Sequence, residues 1–162
     1  MKTVLIGLGN LLLGDEGIGV HAINAIRQRY SFEPPVEIVD GGTLGLDLLS
    51  YFEDRDAVVI IDAVNFGKEP GHIGLLRDDE IPARINAKLT VHHIGLSDIL
   101  SSLKLLGKSP KKITLVGIQP ESFEFSLNLT NTLKSKFEEL IDAAIMELKE
   151  LGHRCVLQSH LR

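Results

Sequence analysis

Apolar positions along this chain follow two alternating rhythms. Short runs that are apolar at consecutive positions read as strands covered on both faces; they lie at Thr3–Leu8, Val36–Val39, Ala57–Ile61, Ile73–Leu76 and Ile113–Ile118. Between them, apolar residues recur at helical spacing, which predicts helices over about Ile18–Arg29, Leu44–Phe52, Gly95–Leu106 and Leu133–Leu151. The last carries Leu133, Phe137, Leu140, Ile141, Ala144, Ile145, Leu148 and Leu151 on one face, and Gly152 supplies its stop. Strands alternating with helices, and strands without a polar face, imply helices on both sides of a largely parallel sheet. With right-handed crossovers the expected architecture is a doubly wound α/β/α sandwich.

Composition narrows the function classes. A chain of 162 residues fits one domain spanning residues 1–162, with 153–162 a polar tail expected to be partly disordered. A formal net charge of −5 disfavours binding to nucleic acid or to an anionic membrane surface. Cys155 is the single cysteine, so no internal disulfide forms and a reducing, cytoplasmic setting is expected. It stands apart from the other chemistry-bearing residues and reads as an ordinary thiol. No apolar stretch has the length of a signal peptide core or a membrane helix.

Metal-capable side chains gather where strands or their connections end. Glu16 follows the first strand, Asp62 closes Val58-Val59-Ile60-Ile61, and His92-His93 precede a helical pattern. In an open α/β sheet these ends form one rim, where ligands bind. A carboxyl as enclosed as Asp62 is expected to be needs a partner, a cation or a proton; a plain turn or helix-cap acid is the structural alternative. Adjacent histidines in extended backbone point oppositely, so only one of His92 and His93 faces the rim. A Glu/Asp/His set suits an open nickel or iron site better than a closed structural zinc, and a catalytic zinc stays open.

The glycine-rich stretches do not fit better-known phosphate loops. Gly7-Leu8-Gly9 lacks the third glycine of a dinucleotide fingerprint, because Leu12 stands there. Asp40, ending the second strand, occupies the place of a ribose-binding acid and keeps that reading open. Gly107-Lys108-Ser109 fails as a P-loop, since Ser102 replaces the required glycine. The glycines around Asp15-Glu16 serve a tight strand-to-helix loop. Without a Gly-x-Ser-x-Gly elbow, hydrolysis here would rest on water activated by a carboxylate or a metal.

Taken together, the motifs resemble those of the hydrogenase maturation endopeptidases. They run in order: Gly7-Leu8-Gly9-Asn10, Gly14-Asp15-Glu16-Gly17-Ile18-Gly19, Asp40-Gly41-Gly42-Thr43, Asp62-Ala63, His92 before Ile94-Gly95-Leu96, Leu115-Val116-Gly117 and Pro120-Glu121-Ser122. The similarity covers about residues 1–150. The opening residues are also similar to peptidyl-tRNA hydrolases, whose following Thr-Arg-His-Asn segment is missing. The resemblance implies an α/β/α sandwich around a mixed five-stranded sheet with one antiparallel strand. It implies a cytoplasmic, aspartic-type endopeptidase that trims a C-terminal extension from the nickel-loaded precursor of a nickel–iron hydrogenase large subunit. The implied metal contacts are Glu16, Asp62 and His92, with Asp62 and Glu16 doubling as catalytic carboxylates and the nickel belonging to the precursor. A metallopeptidase with its own metal and a non-enzymatic nickel-binding chaperone are the competing readings.

Overall fold

The computed structural model describes residues 2–42, 45–81 and 96–158. The main sheet has five strands: β1 (Thr3–Leu8), β3 (Glu37–Gly42), β4 (Ala57–Ala63), β5 (Ile73–Arg77) and β6 (Lys112–Ile118). Their order is β3-β1-β4-β6-β5. All pairings are parallel except β5 against β6. The mixed five-stranded sheet implied by the family resemblance is therefore present. All five strand expectations fall on observed strands.

Strand parity builds the two cores. Val4 and Ile6 of β1, with Val58 and Ile60 of β4, meet α2 (Leu49–Phe52) and α3 (Leu96–Leu106) through Phe52, Ile99 and Leu103. Leu5, Val59 and Ile61 face the other way, onto α1 (Ile18–Arg29) and α4 (Asn131–Glu150). Because both faces are covered, β1 and β4 carry no polar side until Asp62, and this produces the runs of consecutive apolar residues. In α1 the buried positions Ile18, Ala22, Ile23 and Ile26 lie at helical spacing, and Arg27 and Arg29 suit the negative end of its dipole. In α4 Thr130 is the N-cap and accepts the Leu133 N–H at 3.4 Å.

Three expectations change. The helix expected at Leu44–Phe52 is a 3-10 turn at Gly45–Leu48 followed by α2, because Gly45 takes a positive φ of 62° that no α-helix admits; Leu44 lies outside the described residues. The second strand of the sequence reading starts at Glu37 and continues to Gly42, so Asp40 lies within it, paired with Gly7 and exposed, rather than at its end. The tail expected to be partly disordered contains a strand. Arg154–Leu157 forms β7, which pairs antiparallel with β2 (Tyr30–Glu33) in a separate two-stranded sheet. Neither strand was expected, since each is short and alternates polar residues with Phe32 and Cys155. Burial pushes the Cys155 thiol pKa up, in keeping with an unreactive thiol.

His153 fixes this small sheet to the main one. It is 3 % exposed, with Nδ1 2.7 Å from the Pro34 carbonyl and Nε2 2.8 Å from Thr3 Oγ1. Replacing it leaves the buried Thr3 hydroxyl without its partner and frees the Pro34 carbonyl. His153→Ala is expected to cost about 2–3 kcal/mol, read as a lowered denaturant midpoint, with metal-free site chemistry untouched.

Candidate active site

The chain leaves β1 towards β3 on one side and leaves β4 towards β6 on the other, so the crevice of the sheet opens between the C-terminal ends of β1 and β4. Glu16 and Asp62 come from the two sides of that crevice. Tight backbone packing sets their approach. A Cβ on Gly19 would lie 2.2 Å from the Ile61 carbonyl oxygen and 2.4 Å from that of Leu8, so the first turn of α1 rests directly on both strand ends. Gly9, at φ 124°, leaves no room either: a Cβ there would sit 1.8 Å from the Glu16 carbonyl oxygen. The loop after β1 is thereby folded back over the strand end, and the Asn10 N–H donates to Glu16 Oε2 at 2.8 Å. Glu16 is 3 % exposed.

Asp62 continues the parity of Val58 and Ile60 to the rim and is partly buried. The Ala63 N–H donates to its Oδ1 at 2.8 Å. Its pKa stands well above the ordinary carboxylate range, first because burial desolvates it and second because the Glu16 charge repels its own; the Ala63 N–H opposes both. Two carboxylates thus share one field, Glu16 from the turn after β1 and Asp62 from the end of β4. That arrangement holds a proton, or accepts a cation, more readily than either acid alone.

The loop beyond Asp62 is shaped by Gln119, a residue the sequence reading passed over. Its Oε1 accepts the Phe66 N–H at 2.6 Å and the Lys68 N–H at 3.3 Å, and its Nε2 donates to Asn65 Oδ1 at 3.3 Å. Its place directly after the last apolar residue of β6 was the available signal.

Asp15 has a different task from its neighbour. It is fully buried, and its carboxylate accepts the Thr130 N–H at 2.8 Å, the Glu121 N–H at 2.9 Å, the Ser122 N–H at 3.2 Å and the Thr130 hydroxyl at 2.9 Å. These bonds clamp the Gly14–Gly17 turn to the 121–130 segment and to the start of α4. Sequence reasoning saw two adjacent acids and had no means of separating their roles, because all of Asp15's donors lie more than a hundred positions away.

His92 and His93 lie outside the described residues. Among the described residues, no three acidic, histidine or cysteine side chains converge as a metal set. The donors that do converge, Glu16 and Asp62, are hard oxygens with mutually repelling charges, which fits a divalent cation and leaves further positions to be supplied.

The comparisons with known proteins bear on this site. The HycI family model, hydrogenase maturation protease, matches residues 20–147, a span that includes Asp62 and His92 and begins just after Glu16. The chain belongs to the hydrogenase maturation protease family. Among its relatives, the hydrogenase 2 maturation protease of Escherichia coli is 43% identical over 153 residues, covering 94% of this chain and 93% of the relative. The HupD hydrogenase expression/formation protein of Bradyrhizobium diazoefficiens is 39% identical over 93% of this chain and 80% of its own length. The solved structure of the E. coli hydrogenase maturating endopeptidase HybD superposes with a TM-score of 0.92 at 42% identity, covering 98% of this chain and 99% of that one. Membership of this protease family makes the rim crevice a candidate active site for peptide hydrolysis.

Two outcomes follow for this maturation protease. Asp15→Asn offers an amide N–H to a cluster made only of donors, and is expected to cost about 2–3 kcal/mol, lowering Tm by about 4–12 °C at this chain length. At Asp62 the native state binds its proton more tightly than the unfolded state does, so stability falls as pH rises from the ordinary carboxylate range through the raised value. Asp62→Asn removes that loss. Without added metal its Tm should exceed wild type at pH 7, with the gain vanishing as both are titrated towards pH 3.

Proposed function

We propose that this protease removes a C-terminal extension from the nickel-loaded precursor of a nickel–iron hydrogenase large subunit, in the cytoplasm, with Glu16, Asp62 and His92 contacting the precursor's nickel. The observation that carries the reading is the Glu16–Asp62 pair at the sheet's crevice in a chain of this family. The metal is the substrate's cargo. Burial and the Glu16 charge both hold Asp62 towards its protonated form, and a divalent charge set beside the pair opposes them and favours the ionised form. Nickel recognition and carboxylate ionisation are then one event, and cleavage waits for loading. In this reading Asp62, once ionised, takes a proton from the attacking water, and Glu16, held by the Asn10 N–H, is the second oxygen donor. His92 supports the set from sequence: it precedes α3, whose Ile99 and Leu103 pack into the same face as Val58 and Ile60, the parity that Asp62 extends. No helix among the described residues is long and apolar enough to cross a membrane, and the acidic balance disfavours nucleic acid as a partner.

The test is the mass of the precursor. Incubation of nickel-loaded precursor with the protease is expected to shorten it by its C-terminal segment, and metal-free precursor is expected to stay intact. Cleavage of metal-free precursor would indicate a metallopeptidase carrying its own ion; binding without any change in mass would indicate a chaperone. Within the reading, Asp62→Asn should slow processing at least about a hundredfold, the scale of a lost acid–base group. His92→Ala should abolish processing while His93→Ala is mild, and the reverse pattern would transfer the metal role to His93.

A further inference from the structure

Of the nine large hydrophobic side chains that stand exposed among the described residues, five come from two short segments: Leu11 and Leu12, then Phe123, Phe125 and Leu127. Phe125 is 84 % exposed, Leu127 66 % and Leu12 53 %. Single exposed apolar residues are ordinary, but a contiguous group marks an interaction site. These two segments are contiguous because backbone bonds join them. The Ser126 N–H donates to the Leu12 carbonyl at 3.0 Å, the Gly14 N–H donates to the Ser126 carbonyl at 2.9 Å, and Leu13 and Ser126 form a parallel bridge. Asp15 clamps the same two segments from beneath. The platform is held by bonds at its base while its apolar side chains remain in water.

The platform has two ends. One is the active site, since Leu11 follows Asn10, the donor to Glu16. At the other, Leu127 forms part of the wall of an open cavity of about 290 Å³ between α1 and α4, lined also by His21, Asn128, Leu129, Lys134 and Phe137. Among the described residues His21 Nε2 is buried there without a hydrogen-bond partner, and Lys134 is the one side chain of the described lining that carries a full charge. Burial lowers the His21 pKa, so the ring faces the cavity as a neutral imidazole.

We propose that this strip, from Leu11–Leu12 across Phe123 and Phe125 to the cavity beside Leu127, is the docking surface for the protein substrate. Resting on the function proposed above, it assigns the partner chemistry: an apolar segment of the precursor that seats one large apolar side chain in the cavity and carries a carboxylate beside it for Lys134. Continuity decides the occupant. A protein held on this strip has its neighbouring chain at Glu16 without a gap, and a strip that runs unbroken into an active site reads its substrate rather than an unrelated partner. A few residues dominate such contacts, and aromatic ones are prominent among them. Docking here and chemistry at Asp62 are therefore separable by mutation.

The experiment measures the Kd of nickel-loaded precursor for the protease by calorimetry, in parallel with KM and kcat for cleavage. Phe125→Ser with Leu127→Ser is expected to weaken Kd and raise KM at least about tenfold, roughly 1.4 kcal/mol, with kcat within about twofold. Lys134→Glu should weaken binding further at low salt than at high salt. Leu105→Ser, on an exposed apolar residue at the far end of α3, should change nothing. Thermal midpoints confirm folding, and Phe125→Ala alone serves if the double variant unfolds. An unchanged Kd in the folded double variant overturns the docking surface, as does a wild-type chain that does not bind precursor. Wild-type binding without cleavage overturns the proposed function instead and leaves the docking surface to stand on the Kd ratio.

Discussion

Everything near the candidate active site hangs on the buried carboxylate of Asp15. Its donors come from a loop and a helix start at the other end of the sequence, and no other group among the described residues joins the Gly14–Gly17 turn to the segment before α4 so densely. A carboxylate taken fully out of water is costly unless its lone pairs are filled, and here they are filled by three N–H groups and a hydroxyl. The clamp in turn fixes the turn that presents Glu16. The adjacent acids therefore divide the work: Asp15 gathers donors from the far end of the sequence and holds shape, and Glu16 stands within electrostatic reach of Asp62.

The second constraint is steric. Gly19 and Gly9 let the loop after β1 lie against two strand ends at distances that no side chain permits. This brings Glu16 into the electrostatic reach of Asp62 across the crevice. A mismatch of charge is thereby built in, at some expense to stability, as functional sites commonly do.

How much of this was readable in the sequence depended on range. The five strands and α1 followed from local periodicity because both faces of the sheet are covered, which makes strands uniformly apolar and helices one-sided. Glu16 and Asp62 were visible because strand ends are where open sheets place their chemistry, and the ordered run of motifs made the family recognisable. What could not be read was pairing at a distance. The clamp role of Asp15, the bonds of Gln119 to the loop past Asp62, and the β2–β7 pair all depend on partners that periodicity does not see. Asp40 was misplaced for a related reason: Gly41 and Gly42 look like a loop, yet backbone pairing with β1 carries the strand through them.

The β2–β7 pair and the His153 contacts have a consequence for biosynthesis. Thr3 and Phe32 emerge from the ribosome well before His153 and Cys155, the residues that complete their surroundings. Until then β2 presents an unpaired edge and Thr3 a buried hydroxyl without its imidazole. The first strand of the sheet is thus finished by a segment translated after every other strand of that sheet, so the five strands can emerge and begin to pair before β7 arrives to complete their surroundings.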